Sequence, residues 1–320
     1  MRIDIYNCNQ EETEVFRREL KEHTLRIFRN SFKKAKEEGN VSGEAELVVI
    51  TSESVLDVSD LDRMPFLKAV ITRSTGYDNL PVEECKKRGI LALHIPGYAT
   101  ESVAEHTIGL MLGVVRSEKF WFEKKEWDRL KGKKGTELKG KVLGVVGFGR
   151  IGSRVAEIGK CLGMKVLVND IRDLRVKAEE MGVEFASLNE ILQRSNIVTL
   201  HCSYNETSHH LINQSNIFMM NKGSVLINTS RGAVIENSAL LKALDSGRIK
   251  AAVDVIEGED CLLEGKRNVV VEKLLKHRNL IWTPHIGAFT EDARSMLIME
   301  TIRAVRSIAK RGDLDSYLCD

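Results

Sequence analysis

Val142-Leu143-Gly144-Val145-Val146-Gly147-Phe148-Gly149-Arg150-Ile151-Gly152, answered downstream by Val166-Leu167-Val168-Asn169-Asp170, decides the fold of this chain. An apolar run that breaks into Gly-x-Gly-x-x-Gly reads as a strand turning sharply into a helix, and the second apolar run ends in an acid. Each glycine has its own task in that pattern. Gly147 allows the tight turn, Gly149 lets backbone approach a pyrophosphate, and Gly152 lets the helix pack on its strand. Val155, Ile158 and Leu162 give the following segment a helical stripe. Amides at that helix start face phosphate, and Asp170 accepts hydrogen bonds from ribose hydroxyls. The stretch predicts a bound dinucleotide.

The 320 residues are enough for about two domains, and 42% hydrophobic with 29% charged residues is the balance of a globular chain. The opening Met1-Arg2-Ile3-Asp4-Ile5-Tyr6 turns polar too soon for a signal peptide, and the apolar stretch from Thr107 to Val115 is too short to cross a bilayer. A cytoplasmic protein without membrane contact is expected. Cys8, Cys85, Cys161, Cys202, Cys261 and Cys319 are scattered without a C-x-x-C, so neither a metal site nor a disulfide framework is indicated. A net charge of +2 gives no reason to expect nucleic acid, and Lys131-Gly132-Lys133-Lys134 reads as a solvated loop.

Short apolar runs alternate with helical patterns along the whole chain, which predicts parallel α/β sheets. Ile3 to Tyr6, Leu47 to Thr51, Ala69 to Thr72 and Ile90 to His94 form a first unit, with Val15, Phe16, Leu20 and Ile27 read as one buried helical stripe. A connector helix is expected over about 102–123. Strands then follow at Val142, Val166 to Asn169, Ile197 to His201, Val225 to Asn228, Ala251 to Asp254 and Leu280 to Trp282. The final helix, Glu291 to Lys310, carries an apolar face that could return to the first unit.

Ligands of doubly wound sheets gather at the carboxyl ends of the strands. Three strand ends are unusually polar: Asn228 leads into Thr229-Ser230-Arg231-Gly232, Asp254 into Glu257-Gly258-Glu259, and Trp282-Thr283-Pro284 into His285-Ile286-Gly287. Singly, Arg231 reads equally as a surface charge, Glu259 as part of an acidic loop and His285 as a strand-end imidazole. Jointly they match what hydride transfer to a 2-oxo acid needs: a cation for the carboxylate, a donor for the ketone oxygen, and a carboxylate that keeps the donor protonated.

At this point the chain resembles the D-2-hydroxyacid dehydrogenase family over essentially its full length. Thr72-Arg73-Ser74-Thr75-Gly76-Tyr77-Asp78-Asn79 resembles the family's substrate-carboxylate loop, and Pro96-Gly97-Tyr98-Ala99-Thr100-Glu101-Ser102-Val103-Ala104-Glu105-His106-Thr107 the entry to its connector helix. The resemblance implies two doubly wound parallel-sheet domains. A Rossmann domain, residues 99–291, is inserted into a discontinuous flavodoxin-like substrate domain, residues 1–98 plus 292–320, with the active site in the cleft.

It also implies roles. Arg231 binds and orients substrate, Glu259 pairs with the histidine, and His285 gives and takes the proton. Thr75 and Gly76 bind the acid through their amides, and Tyr98 reaches substrate. Gly147, Gly149, Arg150, Ile151, Gly152, Asp170, Cys202, Ser203, Ser208, Thr229, Ser230 and Asp254 contact the cofactor, which is NAD. A homodimer is the implied assembly. Ser203 and Asn205 depart from the family's adenine-side pattern, and Arg172 stands near Asp170 where a proline is usual; that arginine could soften discrimination against NADP.

Tyr98, Phe289 and the long segment from Glu259 to His285 lean toward pyruvate/D-lactate, because an aromatic wall suits a small or apolar substituent. Against this, Ile286-Gly287-Ala288 also resembles glyoxylate-reductase and phosphoglycerate-type members, so a glyoxylate/hydroxypyruvate or phosphoglycerate-type reductase is the alternative. A dinucleotide-sensing protein, as in the C-terminal-binding-protein-like corepressors, is the reading from a different functional class.

Overall fold

The computed structural model describes residues 1–41, 43–124, 134–259, 261, 265–310 and 312–319. Lys131, Gly132 and Lys133 of the basic run lie outside them. The chain divides into two compact units, Met1–Ala99 with Thr290–Asp320, and Thr100–Phe289.

The first unit is built on a five-stranded sheet in the order β2-β1-β3-β4-β5, from Arg2–Ile5 (β1), Thr24–Ile27 (β2), Leu47–Ile50 (β3), Ala69–Thr72 (β4) and Leu91–His94 (β5). All its pairings are parallel. Alternation along the strands sends Ile3, Ile5, Leu47, Val49 and Ile71 into one core and Val48, Ile50 and Val70 into the other. Phe16 and Leu20 join the first of these, and so do Ile302 and Val305 of the final helix Glu291–Lys310. The helical stripe is shorter than the sequence suggests. The first helix ends at Glu19, and Thr24-Leu25-Arg26-Ile27 is the edge strand β2, so Ile27 belongs to the sheet. A half-exposed edge strand of four residues shows little apolar periodicity, which is why it reads as a continuation of the helix.

The second unit carries a seven-stranded sheet in the order β12-β11-β10-β9-β6-β7-β8. Its strands are Val142–Val146 (β6), Lys165–Asn169 (β7), Glu184–Phe185 (β8), Ile197–Leu200 (β9), Ser224–Asn228 (β10), Ile249–Val253 (β11) and Leu280–Trp282 (β12), again all parallel. The order reverses between β6 and β9, which creates a switch point at the carboxyl end of β6. One face packs Leu143, Val145, Val225 and Ile227 against Val155 and Ala156, and the other packs Val198, Leu200 and Leu226 against Leu240 and Leu244.

The connector expected over 102–123 is broken in two. A helix Thr100–Val115 packs Ala104, Met111 and Val114 on the first face, and a separate short helix begins at Glu118. Ser117 between them is left-handed at φ 58°, and the Val115 carbonyl accepts from Thr136 N at 2.9 Å instead of from a helix amide. No helix among the described residues is long and apolar enough to cross a membrane.

Candidate active site

The loop after β6 has the sterics expected of a pyrophosphate cradle. Gly147 has φ 90°, and a Cβ there would lie 2.5 Å from Cys202 N, so only glycine fits the turn. A Cβ at Gly152 would lie 1.9 Å from the Gly147 carbonyl oxygen, whereas one at Gly149 would meet nothing within 4 Å. Two glycines therefore serve backbone packing, and the third faces open space. The helix Arg150–Cys161 starts from Gly149 without a side-chain cap, which leaves its first amides and the positive end of its dipole for an anion. Arg150 is exposed at that start, while Ile151 packs against the core. These residues fit a dinucleotide.

Asp170, one residue beyond β7, is tied to the same loop: its Oδ2 accepts from Phe148 N at 2.8 Å. Arg172 grips the same carboxylate through its backbone amide and Nε at 3.0 Å on Oδ1 and Nη2 at 3.1 Å on Oδ2. Burial pushes the Asp170 carboxyl up, but the Arg172 and Phe148 donors outweigh it and hold the group below its ordinary value.

The segment after β9 is arranged mainly by its own polar groups. Ser208 donates to the Ser203 carbonyl at 2.8 Å and accepts from Asn205 N at 2.8 Å, so its hydroxyl shapes the loop. Cys202 is largely shielded, and burial pushes its thiol up to about 11. Buried Asn228 is a residue that strand-end reading passes over. Its Oδ1 accepts from Ser230 N at 3.0 Å and Ser230 Oγ at 2.7 Å, and its Nδ2 donates to the Arg231 carbonyl at 2.9 Å. That closes the turn bearing Thr229, Ser230 and Arg231. Thr229 Oγ1 lies 2.9 Å from Thr107 Oγ1, which anchors the turn to the helix Thr100–Val115.

Gly232 then allows close passage past the Ile256 carbonyl, where a Cβ would sit 2.2 Å from Ile256 C. This brings the Arg231 strand end beside the Glu259 loop. His285 Nδ1 lies 2.8 Å from Glu259 Oε1, and Glu259 Oε2 accepts from Ile256 N at 3.0 Å. The Glu259 hydrogen bond raises the His285 pKa above its ordinary value; burial and the nearby Arg231 cation oppose it without reversing the sign. Arg231, Glu259 and His285 are thus brought within electrostatic reach of one another at one sheet edge.

His285 is held in a left-handed conformation at φ 55°, uncommon for a residue with a side chain. Asp254 holds it there. The Asp254 carbonyl accepts from His285 N at 2.9 Å, its Oδ1 from Thr283 Oγ1 at 2.6 Å and Ile286 N at 2.9 Å, and its Oδ2 from Gly287 N at 2.8 Å. His106 Nε2 lies 3.3 Å from Oδ1 and 3.0 Å from Thr283 Oγ1. Burial favours the neutral acid, yet these donors hold the Asp254 carboxyl below its usual value. Asp254 is thereby placed to fix the turn that carries His285. His106 was visible in the sequence as part of a connector motif, but only the fold pairs it with Asp254.

In the first unit, the loop after β4 is fixed by Ser74 Oγ, which donates to the Gly76 carbonyl at 2.6 Å, and by His94 Nδ1, 2.7 Å from the Thr75 carbonyl. Arg73 just before it is buried and paired with Glu12 at 2.7 Å. Tyr98 packs against the core containing Phe16 and Ile302, and Phe289 in the second unit is largely exposed. Among the described residues no group of histidine, cysteine and acidic side chains could hold a metal ion.

Comparison with known proteins gives a consistent picture. The NAD binding domain of the D-isomer specific 2-hydroxyacid dehydrogenases matches residues 108–287. The crystal structure of D-lactate dehydrogenase from Aquifex aeolicus, complexed with NAD and lactic acid, is 35% identical and superposes with a TM-score of 0.89 over 96% of this chain and 95% of that one. Glyoxylate reductase of Aeropyrum pernix is 35% identical over 80% of this chain and 77% of its own length. D-3-phosphoglycerate dehydrogenase of Methanocaldococcus jannaschii is 36% identical over 82% of this chain, which spans only 50% of that protein.

Two outcomes are expected. Gly152→Ala must displace the Gly147 carbonyl and is expected to cost about 1–3 kcal/mol, seen as a lowered melting temperature with weakened NADH binding; an unchanged melt and affinity would contradict the packing described. Asp254→Asn replaces one of the two accepting oxygens with an NH2 donor that opposes the Ile286 or Gly287 amide, and is expected to lower kcat for 2-oxo acid reduction by about 10–100-fold while NADH affinity, read by fluorescence titration, stays within about threefold. Loss of NADH affinity in step with kcat would instead make Asp254 a cofactor ligand.

Proposed function

Because the chain belongs to the D-isomer specific 2-hydroxyacid dehydrogenase family, and binds NAD as that family does, we propose that it interconverts pyruvate and D-lactate. The observation that carries the chemistry is the His285–Glu259 pair, 2.8 Å apart, with Arg231 close enough to act on the imidazole. When bound, the nicotinamide supplies or accepts the hydride. Arg231 holds the substrate carboxylate and orients its carbonyl through a planar guanidinium. The His285 Nδ1–H is committed to Glu259, which leaves Nε2 to donate a proton to the ketone oxygen on reduction and to take it back on oxidation. Glu259 stabilises the imidazolium and fixes the ring, while Asp254 and His106 set the turn. Thr75 and Gly76 are assigned to the acid group through their backbone amides.

The choice of pyruvate rests on similarity to the Aquifex aeolicus D-lactate dehydrogenase, whose structure is complexed with NAD and lactic acid. Similarity to the Aeropyrum pernix glyoxylate reductase makes glyoxylate the second reading. A cytoplasmic homodimer is the assembly we propose. Half-exposed Leu112 on the helix Thr100–Val115 and exposed Phe122 on the next helix supply apolar surface for it.

NADH oxidation with pyruvate, glyoxylate, hydroxypyruvate and phosphohydroxypyruvate tests the substrate. The highest kcat/KM is expected with pyruvate, and the reverse reaction is expected with D- but not L-lactate. A higher kcat/KM for glyoxylate transfers the assignment to the second reading, and NADH binding without any turnover points to a sensor.

The pH dependence tests the pair. Reduction needs the imidazolium, so its rate is expected to hold at low pH and fall as pH rises through the raised His285 pKa. Oxidation needs the neutral ring and should show the opposite limb. In Glu259→Gln the reduction limb is expected to move to lower pH by about 1–3 units, with kcat reduced at neutral pH. An unmoved limb would remove Glu259 from the pair.

A further inference from the structure

The carboxylate that the sequence assigns to the cofactor's ribose is not available in the form that assignment assumes. Asp170 is 7% exposed at its side chain, and Arg172, 63% exposed, binds it fork to fork through Nε on Oδ1 and Nη2 on Oδ2, at 3.0 and 3.1 Å. With Phe148 N at 2.8 Å and the Arg172 amide at 3.0 Å, the carboxylate accepts four protein hydrogen bonds. A ribose diol reaching Asp170 must therefore compete with Arg172.

The surroundings soften the field that would otherwise repel a phosphate. A cavity of about 440 Å³ opens here, walled by Asp170, Arg172, Asp173, Arg175, Phe185 and Glu190 among others. Lys177 lies alongside, its Nζ donating to the Phe148 carbonyl at 3.2 Å and to Ser153 Oγ at 2.6 Å. Its pKa is lowered, chiefly by burial and then by the Arg172 cation. The carboxylates of Asp170, Asp173 and Glu190 are thus matched by the cations of Arg172, Arg175 and Lys177. Arg175 is committed to Asp173, with Nε 2.9 Å from Oδ1, and Lys177 to backbone and serine. Arg172 is the exposed guanidinium whose partner lies inside the ribose site.

We propose that Arg172 makes this a dual-cofactor site, exchanging Asp170 for the 2′-phosphate of NADP(H) and yielding Asp170 to the ribose hydroxyls of NAD(H). A guanidinium binds phosphate through the same planar fork it now presents to the carboxylate, and the phosphate brings the greater charge. The same residue therefore weakens NAD(H), which must displace it, and supports NADP(H), which recruits it. The inference rests on the dinucleotide reading of the glycine loop and concerns the ribose end alone.

The test is binding without substrate, by fluorescence titration or calorimetry with NADH and NADPH, for the wild-type chain, Arg172→Ala and Arg172→Lys at low and high KCl. Wild-type Kd values are expected within about tenfold of each other, with NADPH binding falling more steeply with salt because it carries the additional charge. Arg172→Ala is expected to weaken NADPH by at least about tenfold while NADH holds or tightens; Arg172→Lys should fall between. Since Arg172 is a surface side chain, far-UV circular dichroism should be unchanged. Wild-type discrimination beyond about a hundredfold, or equal loss of both cofactors in Arg172→Ala, overturns the proposal. Failure of the wild-type chain to bind either cofactor overturns the dinucleotide reading itself.

Discussion

The carboxylate of Asp254 is the constraint on which the proposed chemistry depends. It is nearly inaccessible to solvent, and the donors around it keep it an anion in spite of that burial. A buried anion is tolerated only where hydrogen bonds compensate its lost hydration, and here those bonds come from the residues on either side of His285. Its desolvation is thereby used to fix a left-handed turn that the histidine would not adopt alone. The turn presents the imidazole to Glu259, and Glu259 in turn is set by the Ile256 amide. His285, the proposed proton donor, is thus held by groups set behind it.

The same economy governs the cofactor half. Gly147 and Gly152 are dictated by backbone contact, one at a positive φ and one against a carbonyl oxygen, and the consequence is a helix start presented at the switch point of the sheet. Phe148 N then links that loop to Asp170, and Gly147 N links it to the Asn169 carbonyl, so the ends of β6 and β7 are tied together. Arg172 modifies this arrangement locally, without disturbing the glycine geometry.

Much of this was legible in the sequence. Gly147, Gly149 and Gly152 followed by Asp170 specify a strand, a turn and a helix within a short span, so local chemistry is enough to place them. The polar ends of β10, β11 and β12 pointed to Arg231, Glu259 and His285 because parallel strands share one carboxyl edge. The final helix was legible through its apolar face, which packs Ile302 and Val305 beside Phe16. What could not be read depends on contacts distant in sequence or on short elements. Edge strand β2 lacks a fully apolar run, and the break at Ser117 is set by packing against Gly135 and Thr136. His106 meets Asp254 only through the fold, and Asn228 looks like a strand end until its bonds to Ser230 and Arg231 are seen. The Asp170–Arg172 fork is local, but spacing alone does not say which of two neighbouring charges is occupied by the other.

Glu259 is proposed to keep His285 protonated as the acid of ketone reduction. This role is tested most directly by pH titration of ¹⁵N-histidine-labelled protein by NMR, with the His285 resonances assigned from a His285→Gln variant. A His285 pKa above the ordinary histidine value of 6.5 is expected, with Nδ1 remaining the protonated nitrogen in the neutral ring. A pKa at or below that value, or a neutral ring protonated at Nε2, would contradict it.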